Sequence, residues 1–486
     1  MLSPGPTHGS PRARWPPWAA LAALTLVRLL VAAMAPLSPD EAYYWVWSRA
    51  LAPGYLDHPP MVALWIRAGI ALAGETPLGV RLLGPFAAAL GSVLLARAAE
   101  DLLPGRSAGL RAAALLNATL LLGVGAVTMT PDTPLLLFWS VALWALARLL
   151  RTGQGGWWLA VGAASGLALA SKYTAALLGL GVLLWLLLVP AARRWLARPW
   201  PWAGGALAAA LFAPVVAWNA AHGWASFAKQ GGRADDWAPG QALRHLSELV
   251  GGQAGLATPL VFVLCVAGSV AAARRFRDPA WALLTALTVP GALVFVQHAL
   301  GDRVQGNWPA ILYPAACVAA AGLSGSSWRP AVALGLVASG LVYLQATAAP
   351  FALPRRLDVT LVRMAGWEEL AHDADRLRAP GDGFVAAESY GLAAQLAFHG
   401  SAVPVLGAEE RWSLFGLPAF FGAAPGLLVL STRRAEPPDP ALWQSADQVG
   451  ELVRARGGVT AETYRVYRVA PRGGPFIRVL PQPGRD

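Results

Sequence analysis

Two adjacent carboxylates, Asp40 and Glu41, follow the first long apolar segment of the chain and precede an aromatic run, Tyr43–Trp47. Acids beside a hydrocarbon boundary are costly unless they have partners or a function. A hydroxyl that attacks carbon needs a carboxylate to accept its proton, and a second acid can orient a substrate or cation. With Asp57 further along, we interpret residues 37–60 as an active-site loop at a membrane surface. The alternative is that the acids only mark the solvated end of a span.

A third acidic position, Asp132, lies in a short turn between two apolar segments, bracketed by Pro131 and Pro134. Prolines restrict the turn, so the carboxylate is predicted to face the same side as the loop at 37–60. Asp132 also suits the start of the following helix as a cap, and the two roles are compatible.

Only two lysines occur among the 38 basic residues, Lys172 and Lys229, and both lie between apolar segments. An ammonium or guanidinium group can contact a phosphate oxygen, and we predict that role for Lys172, for Lys229 and for Arg233, which follows Lys229 in the same loop. Snorkelling at the end of a span is the alternative. Arg28 lies within an apolar span, where it forms a structural ion pair or lines a polar cavity.

His58 could ligate a metal together with a nearby acid, but no second histidine stands at a supporting spacing. Anchoring of the loop is the favoured role of this histidine. The two cysteines, Cys265 and Cys317, fall in apolar segments and indicate neither a metal site nor a disulfide framework.

The composition predicts a multi-span membrane protein, because 56% of the 486 residues are hydrophobic and only 13% are charged. The net charge of +11 arises from residues 1–348, and basic runs with interleaved aromatics are absent from the sequence, so nucleic acid is not an expected partner. Eleven segments are long and apolar enough to span a bilayer: 17–36, 77–97, 112–130, 134–150, 157–171, 174–190, 201–219, 255–273, 279–298, 308–324 and 330–348.

The arginines predict the orientation. If the N-terminus is cytoplasmic, the inner loops carry most of the arginines and the outer loops carry the acids and both lysines. Segments 42–52 and 61–73 are then interfacial helices on the outer side. The first span resembles a signal peptide, but cleavage after Ala35 would leave the two acids on a free end, so an uncleaved anchor is favoured.

Residues 349–486 have a different composition, with equal numbers of basic and acidic residues and short apolar runs. Strands are predicted at 384–388, 403–406, 427–431 and 463–469, and helices near 365–378 and 390–398. We expect a small soluble α/β domain on the outer side of the membrane, beside a transmembrane domain at 1–348. It has no nucleotide-binding glycine loop, and we assign it no catalytic role.

Six motifs together resemble the bacterial branch of glycosyltransferase family 39, which groups relatives of protein O-mannosyltransferases with the lipid A aminoarabinose transferase. They are Leu37–Trp45, Gly54–Pro60, Pro131–Trp139, Ser171–Ala175, Trp218–Gln230 and Asn307–Pro309. The resemblance implies a mostly α, polytopic GT-C fold in the bacterial inner membrane, with the active site at the periplasmic face. It also implies a polyprenyl-phosphate-linked sugar donor, a lipid or protein acceptor, and inverting transfer of a hexosyl or pentosyl group.

On this resemblance Asp40 is the base or the acid that orients the acceptor, with Glu41 and Asp132 as further acidic site residues. Lys172 and Arg233 meet the donor phosphate, where negative charge develops as the phosphate leaves. The motifs add substrate or interface residues: Tyr43, Tyr44, Asp57, His58, Tyr173 and Asn307. Some relatives hold a divalent cation, but no full ligand set is traceable here, so no cofactor is assigned.

Two other classes of protein fit part of the sequence. A transporter or flippase for a lipid-linked substrate would explain the spans and Arg28, but it predicts polar residues on both faces and, often, related halves. A lipid-binding scaffold would use the C-terminal domain to recruit partners. The polar residues of this sequence gather on one face, which favours the transferase.

Overall fold

The computed structural model describes residues 17–105, 107–231, 239–323, 327–434, 436–474 and 476–484. Up to residue 347 the described chain is helical: α1 Pro17–Met34, α2 Pro39–Arg49, α3 Met61–Ala73, α4 Pro77–Arg81, α5 Leu83–Leu102, α6 Ala108–Asn117, α7 Leu120–Gly125, α8 Asp132–Thr152, α9 Trp157–Leu169, α10 Ala176–Leu188, α11 Pro190–Arg193, α12 Pro199–Ala221, α13 Ala225–Gly231, α14 Ala242–Leu256, α15 Pro259–Arg274, α16 Pro279–Ala299, α17 Tyr313–Ala321 and α18 Trp328–Thr347. Short 3-10 turns lie at Tyr173–Ala175, Arg194–Ala197, Pro239–Gln241 and Trp308–Leu312.

The apolar segments predicted from the sequence fall on these helices, several of which are broken. Within the described ranges, six helices are long and apolar enough to cross a membrane, and counting two sharply bent helix pairs gives up to eight. Three further apolar helices are shorter, at Met61–Ala73, Trp157–Leu169 and Trp308–Ala321. The protein is therefore a multi-pass membrane protein, and the count of eleven spans stays a prediction.

Arg28, in the middle of α1, is 1% exposed and pairs with neutral groups. Its guanidinium donates to Asn117 Oδ1 at 2.9 Å and to Tyr343 Oη at 3.4 Å. These partners come from α6 and α18, so the arginine ties three helices together. Such bonds offset part of the cost of a charge at membrane depth.

Residues 359–479 build a mixed sheet with three helices. The helices are α19 Val359–Met364, α20 Trp367–Arg376 and α21 Tyr390–His399, and a 3-10 turn covers Glu410–Leu414. The strands are β1 Val385–Ala387, β2 Val405–Ala408, β3 Gly426–Ser431, β4 Trp443–Arg456, β5 Val459–Pro471 and β6 Ile477–Val479, in the order β4-β5-β3-β1-β2-β6. β1 pairs in parallel with β2 and β3, and the other pairs are antiparallel.

The four strands predicted from the sequence are present, and β4 and β6 are additional. In β4 most side chains are exposed, and among the described strands it pairs with β5 alone, at the edge of the sheet. A polar edge strand has no apolar run by which a sequence pattern could detect it. The 14 residues of β4 were therefore not predicted.

The sheet region shares a hydrophobic core with the segment that follows α1. Buried residues of α2 and α3, among them Trp45 and Ile66, belong to the same cluster as Leu392, Val429 and Trp412. Gly391 at the start of α21 lies so close to α2 that an added Cβ would stand 2.8 Å from Pro39 Cβ. The C-terminal region is thus packed directly onto the helix that carries the two acids.

Candidate functional site

The two neighbouring acids start α2 and point to different environments. Ser38 caps the helix through a capping box with Glu41, and Pro39 occupies the first turn. Successive residues of a helix are about 100° apart around its axis, so Asp40 and Glu41 project in different directions. The side chain of Asp40 is 33% exposed, whereas that of Glu41 is fully buried.

Glu41 is surrounded by donors. Arg81 of α4 donates to it through Nε at 2.6 Å and Nη2 at 2.8 Å. The backbone N–H groups of Ser38 and Met129 add bonds of 3.0 Å each. Burial by itself raises the pKa of Glu41, but Arg81 and the backbone donors outweigh it and hold the pKa below its ordinary value. Glu41 is therefore an ionised anchor between α2, α4 and the turn before α8.

Asp40 faces the C-terminal region. Arg363 of α19 donates to its Oδ2 at 2.5 Å, and the Tyr390 hydroxyl donates to its Oδ1 at 3.1 Å. The exposed part of the carboxylate is open to a ligand. Of the two acids, Asp40 is the one with the access that a general base needs.

Asp57 is the centre of a second charged cluster. Its carboxylate accepts from the Tyr43 hydroxyl at 2.9 Å, from Lys229 Nζ at 2.5 Å and from Arg411 Nη1 at 3.0 Å. Burial raises the pKa of Asp57, but the two cations more than compensate and keep the pKa below its ordinary value. Lys229, predicted to bind the donor phosphate, is thus engaged with a carboxylate.

A third cluster joins residues predicted from separate loops. Lys172 Nζ donates to both Asp132 oxygens at 2.8 Å, and Asn307 Nδ2 donates to Asp132 Oδ2 at 2.6 Å. Lys172 is 4% exposed and Asp132 is 8% exposed. An ammonium group has three N–H donors, so one donor of Lys172 is left for another acceptor.

Lys172 lines a cavity of about 290 Å³ between the ends of the helices. Tyr173, His58, Gln230, His298 and Trp308 line it as well, with apolar side chains from α10 and α16. The Tyr173 hydroxyl is 2.7 Å from Ser226 Oγ, and Tyr44 packs near the His58 ring at 6.3 Å between centroids. The loop at 54–60 and the turn around Lys172 are joined by a backbone bond from Met61 N–H to the Ala170 carbonyl.

An apolar cavity of about 410 Å³ lies beside the first, between α14, α15, α16 and α17. Phe295 lines both cavities, and the lining of the larger one is almost wholly hydrocarbon, including Val266, Val296 and Leu312. Gln253 and Tyr313 are among its polar lining residues, and the Tyr313 hydroxyl donates to Gln253 Oε1 at 3.2 Å. The arrangement suits a molecule with an anionic head and a hydrocarbon tail.

Arg233, predicted to bind the donor phosphate, lies outside the described residues. In the part of the chain that the structure describes, no group of three or more His, Cys, Asp and Glu side chains could hold a metal ion. The neighbours of Asp40 and Asp132 are cations, a phenol and an amide rather than further acids, so these residues do not fit a cation site, and we derive no step through one.

Four further residues of this region were not predicted from the sequence: Arg81, Arg363, Tyr390 and Arg411. Arg81 could have been predicted from the sequence, because an arginine at the start of an apolar segment implies a partner. The other three lie in the C-terminal region, more than 300 residues from the acids that they contact. Among many arginines, a local pattern does not distinguish them.

A helical membrane half whose polar clusters lie together, covered by a small mixed sheet, defines a polytopic protein of the GT-C type. Residues 57–218 match the family model described as dolichyl-phosphate-mannose-protein mannosyltransferase. The lipid A galacturonosyltransferase RgtD of Rhizobium johnstonii is 29% identical over 346 residues, which are 70% of this chain and 72% of that protein.

Two crystal structures of ArnT from Cupriavidus metallidurans have the same fold at 17% identity. The structure bound to undecaprenyl phosphate has a TM-score of 0.61 and covers 93% of this chain and 98% of its own. The apo structure has a TM-score of 0.59, with coverages of 93% and 97%. These matches support the similarity of the chain to glycosyltransferase family 39, and its fold is of the GT-C type.

Proposed function

We propose that this protein transfers a sugar from a polyprenyl-phosphate donor to a lipid acceptor at the periplasmic face of a bacterial inner membrane. The observation that carries the proposal is the pair of adjacent cavities. One is lined by Lys172 and other polar groups, the other is apolar, and Phe295 lines both. A polyprenyl phosphate has the matching halves, an anionic head and a hydrocarbon tail. The relative RgtD acts on lipid A, which favours a lipid over a protein acceptor.

In the proposed reaction the acceptor hydroxyl attacks the anomeric carbon of the sugar. A bond from the acceptor oxygen to that carbon forms as the bond to the phosphate oxygen breaks, with inversion. Asp40 takes the hydroxyl proton, and polyprenyl phosphate leaves as an anion that needs no proton. The remaining donor of Lys172 stabilises the charge that develops on the leaving phosphate, while Asp132 and Asn307 fix the position of the ammonium group.

The geometry supports different roles for the other predicted residues. Glu41 stabilises the start of α2 through its bonds to Arg81 and to the backbone N–H groups of Ser38 and Met129. Asp57 and Lys229 hold the α13 helix against the loop, and His58 and Tyr173 form part of the cavity wall. We propose a cytoplasmic N-terminus, because the excess of arginine over acids in the loops on the same side as the N-terminus then follows the positive-inside rule. The sheet region and the site are then periplasmic.

The variant Asp40→Asn tests the proposal. We expect it to abolish transfer in membranes or detergent while protein level, membrane insertion and thermal stability stay near the wild-type values. Envelope lipids of a deletion strain, analysed by mass spectrometry, should lack one sugar substituent, which the wild-type gene restores and the variant does not. Full transfer by Asp40→Asn would overturn the role of this residue, and an unchanged lipid profile in the deletion strain would overturn the proposed function.

A further inference from the structure

Arg411 reaches from the C-terminal region into the loop at 54–60. Its Nη1 donates to Asp57 Oδ2 at 3.0 Å and to the Tyr43 hydroxyl at 3.3 Å, and its Nε donates to Glu409 at 2.9 Å. The guanidinium carbon lies 4.2 Å from the centre of the Tyr390 ring. The side chain is 14% exposed, so protein groups surround it on most sides.

The backbone that carries Arg411 is fixed by the shared core. Its neighbour Trp412 is fully buried and packs edge-on against the Tyr43 ring at 5.5 Å. An added Cβ on Gly407 would stand 2.5 Å from Trp412 Nε1, so the indole lies directly on β2. The backbone at Arg411 therefore cannot shift away from the loop unless this part of the core opens.

Asp57 transmits this contact to the cavity. Besides Arg411 it binds Lys229, and its backbone carbonyl accepts from Gln230 Nε2 at 2.9 Å. Gln230 and His58, the residue after Asp57, both line the cavity beside Lys172. A displacement of Asp57 would thus move two residues of the cavity wall.

We infer that Arg411 is a positioning residue for the donor, acting through Asp57, and that the C-terminal region is a working part of the site. The inference rests on the proposed function. A planar guanidinium can bind Asp57, Tyr43 and Glu409 at once and stack on Tyr390, whereas the ammonium group of a lysine lacks the fork and the stacking face. Because Arg411 meets the loop through a carboxylate, its effect should depend on that carboxylate.

The test uses the full-length protein in detergent, with Arg411→Ala, Arg411→Lys, Asp57→Asn and the Ala/Asn double variant. Loss of a charged hydrogen bond should lower kcat/KM for the donor on the order of ten- to a hundredfold, through a raised donor KM. The acceptor KM should not change, and Arg411→Lys should recover part of the loss. The double variant should be little worse than Asp57→Asn, since both changes remove the same interaction.

Arg468→Ala is the matched control, because it removes an ion pair with Asp382 inside the same sheet region at 3.2 Å. It should leave the donor KM unchanged even where it lowers stability. If Arg411→Ala only reduced the amount of active protein, kcat would fall with both KM values unchanged, and the inference would be wrong. Additive losses in the double variant would also overturn it.

Failure of the proposed function would look different from failure of this inference. In that case the wild-type protein would neither transfer a sugar from a polyprenyl-phosphate donor nor be stabilised against heat by undecaprenyl phosphate. If the wild type passes both tests and Arg411→Ala is stabilised by undecaprenyl phosphate as strongly as the wild type, only the role of Arg411 is refuted.

Discussion

The buried pair of Glu41 and Arg81 allows a sharp test of whether an acid next to the proposed base supports the fold or takes part in the reaction. Both side chains are 0% exposed, and Arg81 keeps carbonyl partners at Ala32, Ala35 and Pro36 when Glu41 is removed. Breaking a buried ion pair by removing one partner costs about 3–5 kcal/mol. Because three carbonyls remain, we expect Glu41→Ala to lose about 3 kcal/mol, the lower end of that range.

Unfolding of the purified protein by increasing SDS in mixed micelles, followed by circular dichroism, measures this loss. Glu100→Ala is the control, since Glu100 pairs with Arg97 at an exposed site and should cost less than about 1 kcal/mol. The double variant Glu41→Gln with Arg81→Met should lose less than the two single changes summed, because no unpaired charge stays buried. If Glu41→Ala unfolds like the wild type but transfers no sugar, the supporting role is refuted and a direct role in the reaction is favoured.

The same pair predicts the effect of acid. The pKa of Glu41 is lowered in the folded protein, so its stabilising contribution is present above the unfolded pKa and is lost as the pH falls through the folded pKa. Acid should therefore destabilise the wild type more than the double variant.

Two further variants test the cavity and the packing of the C-terminal region. Lys172→Gln should raise the donor KM on the order of tenfold or more and leave the acceptor KM unchanged, because one charged bond to the phosphate is lost; an unchanged donor KM would count against the contact. Gly391→Ala should lower the free energy of unfolding in detergent by about 1–3 kcal/mol and reduce transfer, because the new methyl group meets Pro39 Cβ at 2.8 Å. Gly416→Ala, with open space around the added carbon, should change neither, and equal behaviour of the two alanine variants would contradict the packing argument.

Local patterns in the sequence were enough for the membrane class, the helical segments and the position of the acids. The boundaries of α3 agree with the predicted segment 61–73 because apolar side chains, punctuated by Pro60 and Gly74, favour a helix there. The start of α2 also has a local cause, since Ser38 and Glu41 form a capping box, and this cap places the first residue at Pro39, three residues before the predicted segment 42–52. The strands β1, β2, β3 and β5 have the short apolar runs of buried strands.

The roles of the charged residues depend on tertiary contacts. Asp40 and Glu41 look equivalent in sequence, and only the tertiary structure brings Arg81 of α4 to Glu41 and leaves Asp40 partly exposed. Likewise the two lysines looked like free phosphate contacts, but folding brings each to a carboxylate 40 and 172 residues away. The sequence offers each charged side chain several residues of opposite charge with which it could pair. Its actual partner is determined by which helices pack together.

The segment 37–60, which contains α2 and the loop that follows it, shows both kinds of determination. Its amino acids establish by themselves that carboxylates and aromatic rings lie at a membrane boundary, because hydrophobicity and helix capping act over short stretches of chain. Only the tertiary structure determines that the loop is enclosed by the C-terminal region, with Arg363, Tyr390 and Arg411 against its acids. That enclosure follows from a core shared between distant segments, and burial of apolar surface has no preference for neighbours in sequence.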